Sequence, residues 1–136
     1  MVAPTRKSKS RVKGTATVEF ALVLPLFVVM TMGTIEVCRA IYLRQAAKIG
    51  AYEAARVAFV PGATSEDLSL QCESILENRK ISGYWLETNR PLADVQAGET
   101  LTISVHVPFD ENSVVSPWVL RENIVTESVS VLMEGF

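Results

Sequence analysis

Histidine is almost missing from this 136-residue chain: His106 is the only one. It falls on the polar positions of an alternating run, where a solvated strand side chain is expected. A histidine-based triad needs the imidazole beside a nucleophile and an acid, and no other residue stands out as such a partner. The chain also lacks a glycine-rich phosphate loop, a CxxC pair, an HExxH helix and a carboxylate cluster with metal-ligand spacing. Its acids come in ones and twos, as on ordinary solvated faces. These gaps argue against an enzyme, and no metal or cofactor is expected. Internal repeats are absent too.

Charge is missing in two further places. No acid precedes Glu19, and no charge of either sign lies between Glu19 and Glu36. Before the gap stand Arg6, Lys7, Lys9, Arg11 and Lys13. These are five of the thirteen bases, leaving eight against all fifteen acids, a net of −7 from Gly14 onward. A basic head, an apolar run and an acidic body form a membrane orientation signal, with the bases held in the cytoplasm and the body carried across. This explains the leader better than nucleic-acid binding does. The hydrophobic share, 49%, is high for a chain of this size and is concentrated after Glu19. The length allows one small domain plus an anchor.

The charge-free stretch Phe20 to Ile35 covers roughly 24 Å as a helix, short of a hydrocarbon core of about 30 Å. A spanning helix therefore needs Thr15–Glu19 at one end and the chain to about Cys38 at the other. A cleaved secretory signal would need small residues after the apolar run. Gly33-Thr34-Ile35-Glu36-Val37-Cys38-Arg39-Ala40 offers no clean site, and Glu36-Val37 does not suit acylation at Cys38. Retention as a helix follows. Pro25 lies inside it and predicts a kink, because it cannot donate to the Ala21 carbonyl. The alanine-rich stretch after Glu36 stays helical to about Phe59, with Ile41, Ile49, Tyr52, Ala55 and Phe59 as the expected apolar stripe. Pro61-Gly62 ends it.

The pattern predicts an α+β fold. Residues 1–14 are a basic leader, 15–38 a transmembrane helix and 39–60 its continuation beyond the membrane. Residues 61–136 hold a second, shorter helix and a small antiparallel sheet of about three strands. The second helix starts with Ser65 as N-cap, has Leu68, Cys72, Ile75, Leu76 and Arg79 on one face, and ends near Ile81-Ser82-Gly83. Strands are expected at 92–96, at Thr100–Val107 and at about Asn123–Met133. The last has Glu127 interrupting its apolar face, which suits an edge. Residues 110–121 read as a loop.

Cys38 and Cys72 are a candidate disulfide in an exported chain. If the second helix packs back antiparallel, Cys72 lies opposite about residue 52, some 21 Å along the helix from Cys38. A bridge needs Cα atoms within about 7 Å. An intramolecular bond then requires a broken first helix. Two reduced thiols or an intermolecular bridge are the alternatives.

Glu19 needs a reason, because a carboxylate at membrane depth costs on the order of a few kcal/mol. It either snorkels to the interface or meets a partner. A cut after Gly14 would supply one, a new ammonium on Thr15 one helical turn away. The string Gly14-Thr-Ala-Thr-Val-Glu-Phe-Ala-Leu-Val-Leu-Pro-Leu, behind its basic leader, resembles the class III signal of type IV prepilins. It is more closely similar to the TadE-like family of the tight-adherence (Tad) pilus system. So are Glu36-Val-Cys-Arg-Ala-Ile-Tyr-Leu-Arg-Gln-Ala-Ala and Tyr52-Glu-Ala-Ala-Arg-Val-Ala. The resemblance covers about residues 12–60. It implies cleavage by a prepilin peptidase between Gly14 and Thr15, an inner-membrane anchor with the body outside, and a minor pseudopilin role among other pilin subunits and the assembly platform. Glu19 would serve assembly. The alternative from the residues alone is an unprocessed, signal-anchored binding protein whose Val114–Leu120 loop docks a partner.

Overall fold

The structure is a computed structural model and describes residues 12–113, 120 and 122–133. Most of the leader and most of the Val114–Leu120 loop lie outside the described residues. The first element, α1, is a helix over Val12–Val57. The chain divides into two compact units, residues 1–35 and 36–136, with the division falling inside α1.

In the first unit α1 has no buried face. Phe20, Leu22, Leu26, Phe27 and Met30 are all exposed, as is every other residue from Gly14 to Met32. The helix runs on through Pro25. Thr31 and Thr34 return their hydroxyls to the carbonyls of Phe27 and Met30, at 2.7 and 2.8 Å. Their polar groups are thus satisfied within the helix, as an apolar surrounding requires.

The second unit packs the rest of α1 against a second helix and a sheet. Helix α2, Ser65–Asn78, begins one residue earlier than the sequence suggests, with Thr64 as N-cap. The Thr64 hydroxyl accepts from the Asp67 amide, and the Asp67 carboxylate accepts from the Thr64 amide. This capping box uses a shorter acid than the usual Glu. These bonds favour the ionised form and hold the Asp67 carboxyl below the usual range. The helix stops at Arg79 rather than near Gly83, because Lys80 takes a left-handed conformation (φ 55°) and turns the chain. Leu68, Cys72 and Leu76 are its buried face.

Three strands follow, β1 Trp85–Thr88, β2 Thr100–Pro108 and β3 Ile124–Leu132, all antiparallel, with β2 in the centre. The first differs from expectation. Residues Leu92–Asp94 form a 3-10 turn after Pro91, and the pairing strand is the earlier Trp85–Thr88. Leu101, Ile103, Val105 and Val107 on β2 are fully buried, at 0% exposure. Each contributes about 1.5–3 kcal/mol by burial. β3 is an edge, as Glu127 suggested, and that carboxylate meets Arg44 at 3.5 Å.

The buried face of α1 is the main correction. It consists of Leu43, Ala46, Ala47, Gly50, Ala51, Ala54 and Ala55, with Ala58 continuing it just past the helix end. Of the expected stripe only Ala55 belongs to it. Ile41, Ile49, Tyr52 and Phe59 are exposed. Small side chains let α1 approach its neighbours closely. A Cβ added at Gly50 would sit 3.1 Å from Cys72 Sγ and 3.6 Å from Leu76 Cγ. Close packing, not bulk, fills this interface.

Candidate functional site

The residues singled out by sequence lie at the start of α1. Gly14 and Thr15 are in its first turn, and Glu19 follows one turn after Thr15. Glu19 is exposed and carries the only charge on the helix surface from Gly14 to Ile35. Gly14 has no structural demand on it: a Cβ there would meet nothing within 4 Å, and its backbone is not left-handed. Glycine in a helix costs roughly 0.5–1 kcal/mol relative to alanine. The first helical amides lack partners inside the helix, so this glycine loosens a turn already prone to fray. Glu36, the next charge after the gap, is buried.

Cys38 and Cys72 are both free thiols, the first exposed and the second buried. Cys72 packs on Gly50, twelve residues along α1 from Cys38, or about 18 Å at helical rise. The intramolecular bridge is thereby excluded in this fold. Burial pushes the Cys72 thiol up to about 11.

A polar cluster that the sequence does not advertise holds α1 to the rest of the second unit. Asn112 is buried at 4% exposure, in the 3-10 turn Asp110–Asn112. Its Nδ2 donates to the carbonyls of Ser82 and Pro108, each at 2.8 Å. Its Oδ1 accepts from the Ser82 amide at 2.9 Å. Its own carbonyl accepts from Arg39 Nε of α1. The Arg39 guanidinium also lies over the Tyr42 ring, 4.9 Å from its centroid, and Tyr42 donates to the Arg79 carbonyl at 3.1 Å. One asparagine therefore joins α1, the end of β2 and the connection into β1. Only the run Asp110-Glu111-Asn112 after Pro108 hinted at a turn.

His106 is not the solvated side chain expected. It stacks on Trp85 with ring centroids 5.1 Å apart, and its Nδ1 is 2.9 Å from Thr126 Oγ1. Its Nε2 has no hydrogen bond, with the Glu87 carboxylate 3.5 Å away. Next to it, Thr102 pairs with Ser130 and Ser104 with Ser128, both at 2.9 Å. The two hydroxyl pairs satisfy one another across the sheet, whereas His106 is bonded only through Nδ1. Among the described residues, no group of three or more His, Cys, Asp or Glu could hold a metal ion.

Helix α1 is long and apolar enough to cross a membrane, and the most apolar part of it has none of its surface buried. Such a helix, apolar all round and uncovered, suits lipid. The family model described as TadE-like protein matches residues 14–56. This agrees with the resemblance carried by the same stretch, and the match begins at the glycine before the expected cut. No curated protein matches the chain, and no solved structure does.

Proposed function

We propose that this chain is a TadE-like minor pseudopilin. A prepilin peptidase cuts between Gly14 and Thr15. The helix remains in the inner membrane, the body stands outside, and the mature subunit takes part in assembling a tight-adherence pilus with other pilin-like subunits and their membrane platform. The role is structural and not catalytic. The observation that carries the reading is the pairing of Gly14, which the fold does not need, with Glu19, the lone charge on an apolar surface.

The chemistry follows from that spacing. Cleavage turns the Thr15 amide into an ammonium. Four residues along a helix is about 6 Å, so the ammonium and the Glu19 carboxylate come within reach of one another, in the same chain or between neighbours. Pairing offsets the desolvation of both charges in lipid. Opening the first turn of α1 exposes the bond to the peptidase, and Gly14 makes that opening easier.

The test is intact mass after expression with and without a prepilin peptidase. Loss of residues 1–14 only with the peptidase, abolished by Gly14→Arg, is the expected result. Because a side chain at this position meets nothing, that substitution reports on cleavage and not on folding. A chain left uncut in every condition overturns the processing step.

A further inference from the structure

Among the described residues, nothing covers the exposed face of α1 in the second unit. It carries Ile41, Lys48, Tyr52 and Arg56, with Tyr52 62% exposed, and Phe59 extends it in the turn just past the helix end. Lys48 and Tyr52 each stand two positions from Gly50. At about 100° per residue they are on the side of α1 turned away from α2. The face combines large apolar groups with bases and contains no exposed acid. Arg56 has Glu53 at 3.9 Å, but its side chain is 77% exposed, so the pair leaves it available.

Helix α2 has the complementary surface. It contains four acids and no base. Glu66, Leu70, Glu73 and Glu77 follow one another at helical spacing and are all exposed, with Leu70 at 55%. Leu70 is two positions before Cys72, so this stripe points away from α1 by the same geometry. Both stripes place an apolar anchor among charges of one sign, and the signs are opposite.

We propose that two copies of this chain dock head to tail, with the exposed face of α1 in one copy against the exposed face of α2 in the next. Tyr52 and Phe59 meet Leu70, and Lys48 and Arg56 meet Glu73 and Glu77. The two stripes lie on opposite outer sides of the α1–α2 pair, so a docked pair of copies still leaves one stripe of each kind free. Such a contact is heterologous and propagates into a row instead of closing a dimer. Opposite charges set the orientation and discourage like faces from meeting. The inference stands on the surface alone and applies equally to a cut or an uncut chain. Its failure would therefore not touch the cleavage reading, which the mass measurement tests by itself.

The experiment is sedimentation of the full-length protein in a nonionic detergent at low salt, over a range of concentrations. The wild type should exceed the monomer mass as concentration rises. The double variants Lys48→Glu/Arg56→Glu and Glu73→Lys/Glu77→Lys should each weaken association about tenfold or more. An equimolar mixture of the two should restore it, because each reversed face then meets a reversed partner. All four positions are exposed, and an unchanged circular dichroism spectrum confirms folding. Association indifferent to both variants, or a mixture no better than its components, overturns the proposal. A wild type that stays monomeric but binds phosphatidylglycerol vesicles through Lys48 and Arg56 also overturns it, in favour of a lipid surface.

Discussion

Replacing Asn112 by alanine should be among the most damaging single changes in the second unit. The side chain makes three hydrogen bonds, all to backbone groups of Ser82 and Pro108. Alanine removes the side-chain amide and leaves one backbone N–H and two backbone carbonyls without it. An intramolecular hydrogen bond contributes about 1 kcal/mol net, and an unsatisfied buried group costs roughly 1–3 kcal/mol. Three bonds in a nearly buried site give about 3 kcal/mol, with water entry holding the value near the lower end. For a domain of about 100 residues, 1 kcal/mol shifts Tm by roughly 4–8 °C, so the expected fall is about 12–24 °C. The assay is thermal unfolding of the full-length protein in detergent, followed by near-ultraviolet circular dichroism of its aromatic side chains, Trp85 among them. Asn112→Asp should be no milder, because it sets a carboxylate oxygen against the two carbonyls that Nδ2 now serves. A fall below about 4 °C for the alanine variant, or an aspartate variant as stable as wild type, would refute this account of the cluster.

The other expectations concern the helices. Gly50→Ala should be close to neutral, since a helix gain of up to about 1 kcal/mol opposes a Cβ 3.1 Å from Cys72 Sγ; Gly50→Leu should unfold the second unit, and urea melts of both separate the cases. Iodoacetamide at mild alkaline pH should label Cys38 alone in the folded protein and both thiols after unfolding, read by mass. Because burial raises the Cys72 thiol from 9.0 to about 11, the folded state keeps its proton where the unfolded state loses it. Its contribution is complete below about pH 9 and is lost as pH rises toward about 11, so Cys72→Ala should flatten that decline in stability. Glu19→Ala should still insert in the membrane but fail to support pili, and normal piliation in that strain would remove Glu19 from assembly.

Elements with a strong period were legible in the sequence. The apolar run, the Pro61-Gly62 stop and the alternation of Thr100–Val107 each impose a single geometry. The orientation of α1 was not, because the size of a side chain is a poor guide to which face is buried. Ile41, Tyr52 and Phe59 attract notice as core, yet α2 can approach only where Gly50 and the alanines leave room. β1 was missed for a related reason. Its four residues alternate too briefly to register, and only pairing with β2 makes Trp85–Thr88 a strand. Asn112 was invisible because its value depends on backbone groups thirty residues away in Ser82 and four away in Pro108. Glu19 was conspicuous for the opposite reason, since an isolated charge in an apolar run contradicts its surroundings.

Glu127 has a consequence for how the sheet chooses its pairing. β2 and β3 carry near-repeats on both faces, so a slip of two residues would still join hydroxyl to hydroxyl on one face and aliphatic side chain to valine at most positions of the other. In one direction the slip sets Glu127 opposite Ile103, in the other opposite Val107, and either moves the carboxylate about 7 Å along the sheet from its place beside Arg44. In the observed pairing, with Val105 across from it, the carboxylate meets Arg44 at 3.5 Å. An edge strand with a permissive pattern is prone to misalignment. Here one acid facing the core makes the two nearest mistakes expensive, and α1 supplies the cation that tells the right alignment from the wrong ones.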